Sequence, residues 1–206
     1  MIDFKTFISE ESLMEQEVSA VLRLINYHCK PFVVASGKTG FIKRGMKWDS
    51  IGEIQTTEDA ETNVLQFAHK AVRHDRQPLD NNKLAHDTMD NWFNDEFGVK
   101  ARSTSIFVYG EDVDVQDLTA YGQPCIIFPV GAFTYQWSPK IGDPFDALGE
   151  LETSEEIVHA LETADYRDDG LPEAIQSKNE IMIQCKSFYA FPMKYEAQLK
   201  EALGFA

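Results

Sequence analysis

The chain has 206 residues and a formal charge of −15, from 34 acidic and 19 basic side chains. With 43% apolar and 12% aromatic residues it carries enough apolar surface for a folded core, which excludes wholesale disorder. No apolar run approaches the ~20 residues of a membrane helix. Asp3, Lys5 and Glu10 interrupt the first apolar stretch, so no secretory signal is expected either. The acid excess argues against generic phosphate-backbone binding, in which Lys and Arg displace counterions. Cys29, Cys125 and Cys185 are widely spaced, form no metal pattern and are odd in number, which suits a reducing compartment.

The length suits a single domain over residues 11–206, with 1–10 as a short appendage. Leu13, Val18, Val21, Leu22, Leu24 and Ile25 predict a helix over 11–30. Pro31 is expected to stop it, with Phe32-Val33-Val34 opening a short strand. Gly37 and Gly40 mark a turn before a second strand, Phe41 to Met46. Val64, Leu65, Phe67, Ala68 and Val72 predict a helix over 59–74, broken by Pro78. Asp80 is a candidate cap for a helix running to Phe97, and Gly98 a candidate for the residue that ends it. Strands follow at Arg102 to Tyr109 and Pro124 to Val130. The stretch Gly131 to Pro144, with Tyr135 and Trp137, reads as a loop over a cleft. Thr153 or Ser154 opens a helix over 153–164, a buried strand covers 180–190, and a helix closes the chain at 193–203. Helices thus gather mostly in the N-terminal half and strands later, an α+β pattern.

Three short features are candidates for a site. Arg44-Gly45 ends an apolar strand, Ser103-Thr104-Ser105 opens Ile106-Phe107-Val108, and Glu180 heads Ile181-Met182-Ile183. Each alone has an ordinary reading: a surface arginine before a turn, a strand start, a carboxylate at a solvated strand end. The five histidines have no metal spacing, and His86, near Asp87 and Asp90, reads as structural. No metal site is expected. Glu111-Asp112-Val113-Asp114 lacks the Gly and terminal Glu of a calcium loop and reads as solvated. Gly37-Lys38-Thr39 lacks the leading glycine of a phosphate-binding loop.

Taken in order, Arg44-Gly45, Ser103-Thr104-Ser105 and Glu180 resemble the Arg–Ser–Glu layout of mono-ADP-ribosyltransferases, the phage-encoded members above all. The resemblance covers roughly residues 31–190 and implies a split β-sheet core and NAD as co-substrate. It implies that Glu180 stabilises the oxocarbenium-like ribose, that Arg44 holds the pyrophosphate and adjoining ribose, and that Ser103 bonds the ribose or orients Glu180. Gly45, Thr104 and Ser105 complete the cofactor-binding set, with Phe107, Tyr109 and Phe133 as candidates to stack the nicotinamide. The arginine-modifying members carry a second Glu two positions before the catalytic one, where this chain has Lys178. A cation there does not act as a base toward arginine, which leaves another side chain, a nucleic acid or water as acceptor.

Ile2 to Glu10 resembles the capsid-targeting leader of internal head proteins of large tailed phages. Ile8-Ser9-Glu10 and Leu13-Met14-Glu15 match the context in which the prohead protease cuts. The resemblance implies docking on the head scaffold through residues 2–10, packaging in the phage head and action in the host cytoplasm after infection. An amphipathic first turn packed on the domain accounts for the same pattern. The alternative to a transferase is a non-enzymatic internal head or host-interaction protein on a related fold. The sequence places Lys38, Lys43, Arg44, Lys47, Lys100 and Arg102 near the first two motifs, a candidate basic patch that would focus anionic NAD. The acid excess elsewhere favours a host protein over a nucleic acid as acceptor.

Overall fold

A computed structural model describes residues 10–47, 54–55, 66–78 and 83–206. Residues 1–9, Asp80 and most of 48–65 lie outside the described residues, and with them the leader and the predicted cap at Asp80. Helix α1 spans Glu10–His28 and is followed at once by α2, Lys30–Ala35. Pro31 therefore opens a helix rather than ending the ordered segment. It occupies the first turn of α2, where its missing N–H has no partner to lose. The strand expected at Phe32-Val33-Val34 is helical instead, burying Phe32 and Val33 while Val34 faces outward.

Strands β1 (Ile42–Met46), β2 (Ile54–Gln55) and β3 (Phe67–Ala71) come next. The helix expected over 59–74 fails in its described part. Ala68 to Ala71 pair with Ala190 to Ser187 as a strand, and tertiary pairing overrides the helical spacing of Phe67, Ala68 and Val72. Helix α3 (Lys83–Phe97) buries Ala85, Met89 and Phe93. It ends at Gly98, whose φ of 74° and N–H bond to the Asn94 carbonyl make the expected left-handed stop.

The segment predicted as a strand from Arg102 begins instead with a one-turn helix, α4 (Ala101–Thr104), and only then becomes β4 (Ile106–Tyr109). After α5 (Val115–Thr119), β5 runs from Gln123 to Trp137, well beyond Val130. The predicted cleft loop is thus largely strand. Gly131, at φ 74°, sits where the register with β6 shifts between Val130 and Phe133, and Trp137 is buried. Short helices α6 (Pro144–Leu148), α7 (Ser154–Thr163) and α8 (Leu171–Ile175) precede β6 (Glu180–Pro192), and α9 (Glu196–Leu203) closes the chain. Thr153 caps α7 with a full capping box through Glu156. Helices therefore continue to the C-terminus, contrary to the expected N-terminal gathering.

The fold is mixed α+β. Its strands run β2-β3-β6-β4-β1-β5, and β5 pairs again with β6, closing β1, β5, β6 and β4 into an antiparallel barrel. One edge of β6 serves two strands in succession: Glu180 to Ile183 pair with β4, and Ser187 to Ala190 with β3. Alternation along the strands gives two apolar layers. Ile106, Val108, Ile181 and Ile183 join the main core with α1, α2 and α9, whereas Met182 joins a second core under α3, α4 and α7. Phe107 and Tyr109, paired with Met182 and Glu180, lie on that second face.

Candidate functional site

The end of β6 beside this second core gathers buried charged groups. Glu180 is 4% exposed, and its N–H is fixed to the Gly142 carbonyl at 2.6 Å. Its Oε1 accepts a hydrogen bond from Arg102 Nη1 at 2.6 Å. Burial pushes the Glu180 carboxyl up to about 6, and the nearby Asp143 carboxylate adds to that, against the pull of Arg102 and Arg44. Burial opposes the charge on Arg102 too, but the Glu180 carboxylate outweighs it and holds the guanidinium above its ordinary value.

Arg44 converges on the same place. Its Nη1 donates to the Phe107 carbonyl at 2.5 Å, and its charge is felt by Glu180. Burial holds Arg44 below its ordinary value, with Glu180, Tyr109 and Tyr121 acting against that shift. Gly45 has a packing reason: a Cβ there would meet the Leu118 carbonyl at 2.0 Å, so glycine lets the end of α5 close on β1. The Phe107 ring lies under two guanidiniums, with Arg102 4.1 Å and Arg76 4.9 Å from its centroid.

The Ser-Thr-Ser segment serves the scaffold. Ser103 donates its hydroxyl to Asp90, whose carboxylate also accepts the N–H groups of Arg102 and Ser103 at 2.8 and 3.1 Å. Asp90 on α3 thereby pins α4 and orients Arg102. Ser103 makes no hydrogen bond to Glu180 among those described, and its hydroxyl is held by Asp90. Thr104 bonds back to the Lys100 carbonyl. Ser105 is fully buried, donating to the Ala101 carbonyl and accepting from Gln184. Phe133 packs against Phe32 and Tyr135 in the main core and is not a stacking surface at Glu180. Tyr109 donates to Asp143 at 3.0 Å. Lys178 is exposed in the turn before β6.

Sequence reasoning missed several of the groups around Glu180. Arg76 was concealed by the predicted helix, yet its N–H bonds the Ser103 carbonyl and its buried Nε has no partner. Burial and then the charges of Arg44, Arg73 and Arg102 bring Arg76 down to about 10. Tyr166 likewise buries a hydroxyl without a partner within electrostatic reach of Glu180 and Arg102. Unpaired buried polar atoms are uncommon, and those of Arg76 and Tyr166 both lie within electrostatic reach of Glu180. Exposed Tyr121 senses Arg44, Asp143 and Glu180 at the same mouth. The sequence signal was the dense basic run Lys70, Arg73, Arg76, unusual in a chain of charge −15.

The expected basic patch also changes membership. Lys38 donates to the Leu203 carbonyl at 2.6 Å, and Lys43 pairs with Glu111 and Glu196, so both hold the fold. Glu111, predicted as solvated, is half-buried in that network, while Asp114 caps α5. The three cysteines are buried and free, and burial raises each thiol to about 12. No cluster of metal ligands occurs among the described residues. No helix among them is long and apolar enough to cross a membrane.

One end of the antiparallel barrel thus holds a buried carboxylate beside a cluster of arginines. No protein-family model, curated protein or solved structure matches the chain.

Proposed function

We propose that the protein is an NAD-dependent mono-ADP-ribosyltransferase acting on a host macromolecule. The observation that carries the reading is the convergence of Arg44 and Glu180, distant in sequence, on one arginine-rich pocket around Phe107. The split of one β6 edge between β4 and β3 supports a split-sheet relative of that enzyme class. A dinucleotide fits the donor set: Arg44 and Arg76 supply forked charge for phosphate, and the unpaired Arg76 Nε and Tyr166 hydroxyl supply donors.

In the reaction, the bond between ribose C1′ and the nicotinamide nitrogen breaks, and nicotinamide leaves with the electron pair. An acceptor hydroxyl or amine bonds C1′, and its proton passes to solvent or to the Glu180 carboxylate. Glu180, ionised above about pH 6, stabilises the positive charge that develops on the ribose. Arg102 is a positioning residue that fixes Glu180 and keeps it ionisable in a buried site. Incubating the protein with labelled NAD and host lysate should transfer label to a macromolecule, and Glu180→Gln should lower transfer about 100-fold or more. Labelling at the wild-type rate after this change overturns the reading.

A second reading keeps the pocket without turnover. Glu180 is committed to Arg102 and Ser103 to Asp90, which also suits an interaction protein that binds NAD or another anion unchanged. Packaging in the phage head is compatible with either reading. Mass spectrometry of virion-derived protein tests the leader: a terminus after Glu10 or Glu15 supports it, and an intact Met1 or Ile2 removes it.

A further inference from the structure

The surroundings of Glu180 change sign along one strand. Phe107 and Tyr109 lie on the same face of β4, one strand period apart. Cations gather at Phe107: Arg102 and Arg76 lie against its ring, and Arg44 donates to its carbonyl. A second carboxylate stands at Tyr109, whose hydroxyl donates to Asp143 Oδ2 at 3.0 Å. Tyr109 pairs with Glu180 in the sheet, and the Gly142 carbonyl accepts the Glu180 N–H. Asp143 is therefore held beside Glu180 from two directions. Glu180 is buried and engaged by Arg102, whereas Asp143 is half-buried and joins no ion pair among the described residues. Its Oδ1 caps α6 by accepting the Phe145 N–H at 2.7 Å. Beyond it Tyr121 and Asp146 are exposed, and Tyr121 lies within electrostatic reach of both aspartates. A dinucleotide in this field puts its diphosphate at the Phe107 end, which leaves the acidic, aromatic end to the acceptor. Carboxylates beside an exposed ring face suit a cation.

We propose that Asp143 is the base that takes the acceptor's proton, and that the acceptor is a cationic side chain of a basic protein segment entering over Tyr121. The assignment rests on the transferase reading. The acceptor nitrogen bonds ribose C1′ as nicotinamide leaves with the electron pair of the broken bond. The proton of that nitrogen passes to the Asp143 carboxylate and from there to solvent. Glu180, held by Arg102, stays on the ribose. Two neighbouring carboxylates with separate tasks follow the logic of glycoside chemistry, where one faces the sugar cation and the other the nucleophile.

The test uses Asp143→Asn, which removes the charge while an amide still caps α6 and still meets the Tyr109 hydroxyl. Glu201→Gln, exposed on α9, alters net charge equally. Three quantities are measured: transfer from labelled NAD to Arg-rich or Lys-rich peptides, NAD binding by calorimetry, and the Glu180 carboxyl midpoint by carbon NMR. Asp143→Asn should lower transfer about 100-fold and leave NAD binding near wild type. The Glu180 midpoint should fall below about 6, because the Asp143 charge helps to raise it. The other groups facing Glu180, which are Arg102, Arg44, Arg76, Tyr109, Tyr121 and Tyr166, are unchanged in the variant. Undiminished transfer by Asp143→Asn, with Glu180→Gln impaired, overturns the base alone. So does an equal loss in Glu201→Gln, an unmoved Glu180 midpoint, or a loss of NAD binding that matches the loss of transfer. Preferred labelling of an acidic peptide or a single-stranded oligonucleotide overturns the acceptor class. No nicotinamide release by the wild type defeats the transferase reading, and the base with it.

Discussion

Lys43 and Arg44 are neighbours on β1 and show two uses of buried charge. Strand alternation sends them apart. Lys43 meets Glu111 and Glu196 at 3.3 and 3.2 Å, and Lys200 joins both acids, so cations and carboxylates balance within the protein. Arg44 joins a corner where Lys70, Arg73, Arg76 and Arg102 outnumber Glu180 and Asp143. The first cluster is complete in itself and ties α9 to the barrel. The second keeps unpaired buried donors and mutual repulsion, which a fold would shed unless a ligand used them.

The sharpest way to break this contrast is at the carboxylate. Glu180→Gln should lower transfer about 100- to 1000-fold while keeping the shape of the side chain. Next in size is the paired change on β1. Lys43→Met should cost about 2 kcal/mol of stability, read by denaturant unfolding, because it leaves Glu111 and Glu196 sharing one partner. NAD affinity should hardly change. Arg44→Met should do the reverse, weakening NAD binding about tenfold or more with little loss of stability. If both variants lose stability alone, the corner is a second structural network and the contrast collapses.

How much of this was legible in sequence depends on where tertiary pairing decided the outcome. Helices α3 and α7 follow from apolar spacing and local end signals, the stop at Gly98 and the N-cap at Thr153, which act within a turn. The strand β3 did not, because Phe67, Ala68 and Val72 suit a helical face and only pairing with β6 settles them as strand. Arg76 follows just beyond that predicted helix, and its reach to Phe107 depends on the same strand pairing. Arg44 and Glu180 were named by motif, and Arg44 lies within electrostatic reach of Glu180. The bond from Ser103 to Asp90 was not legible, since nothing local reveals a partner one helix away. Arg102 stood beside the motif, but its reach to Glu180 depends on the β4–β6 register.

A pH profile separates the two clusters more gently. The Glu180 carboxyl lies at about 6, above its ordinary 4.5, because burial disfavours its charge. The stabilising contribution of its proton is therefore full below 4.5 and lost as pH rises through about 6. Activity should run the opposite way, rising through about 6 to a plateau, with roughly tenfold less at one unit below. Arg102→Ala should move that midpoint upward, since it removes the main group favouring the carboxylate, and Arg102→Lys should restore part of the shift. The smallest expected effect is at the helix cap: Thr153→Ala should cost about 1 kcal/mol and leave activity unchanged.

Release of free nicotinamide from NAD, followed by chromatography for wild type and Glu180→Gln in parallel, tests the central claim most directly. The account predicts release by the wild type, accelerated by an acceptor, and loss of release in the variant with NAD binding retained. Equal release by both proteins, or none by the wild type with any acceptor, contradicts it.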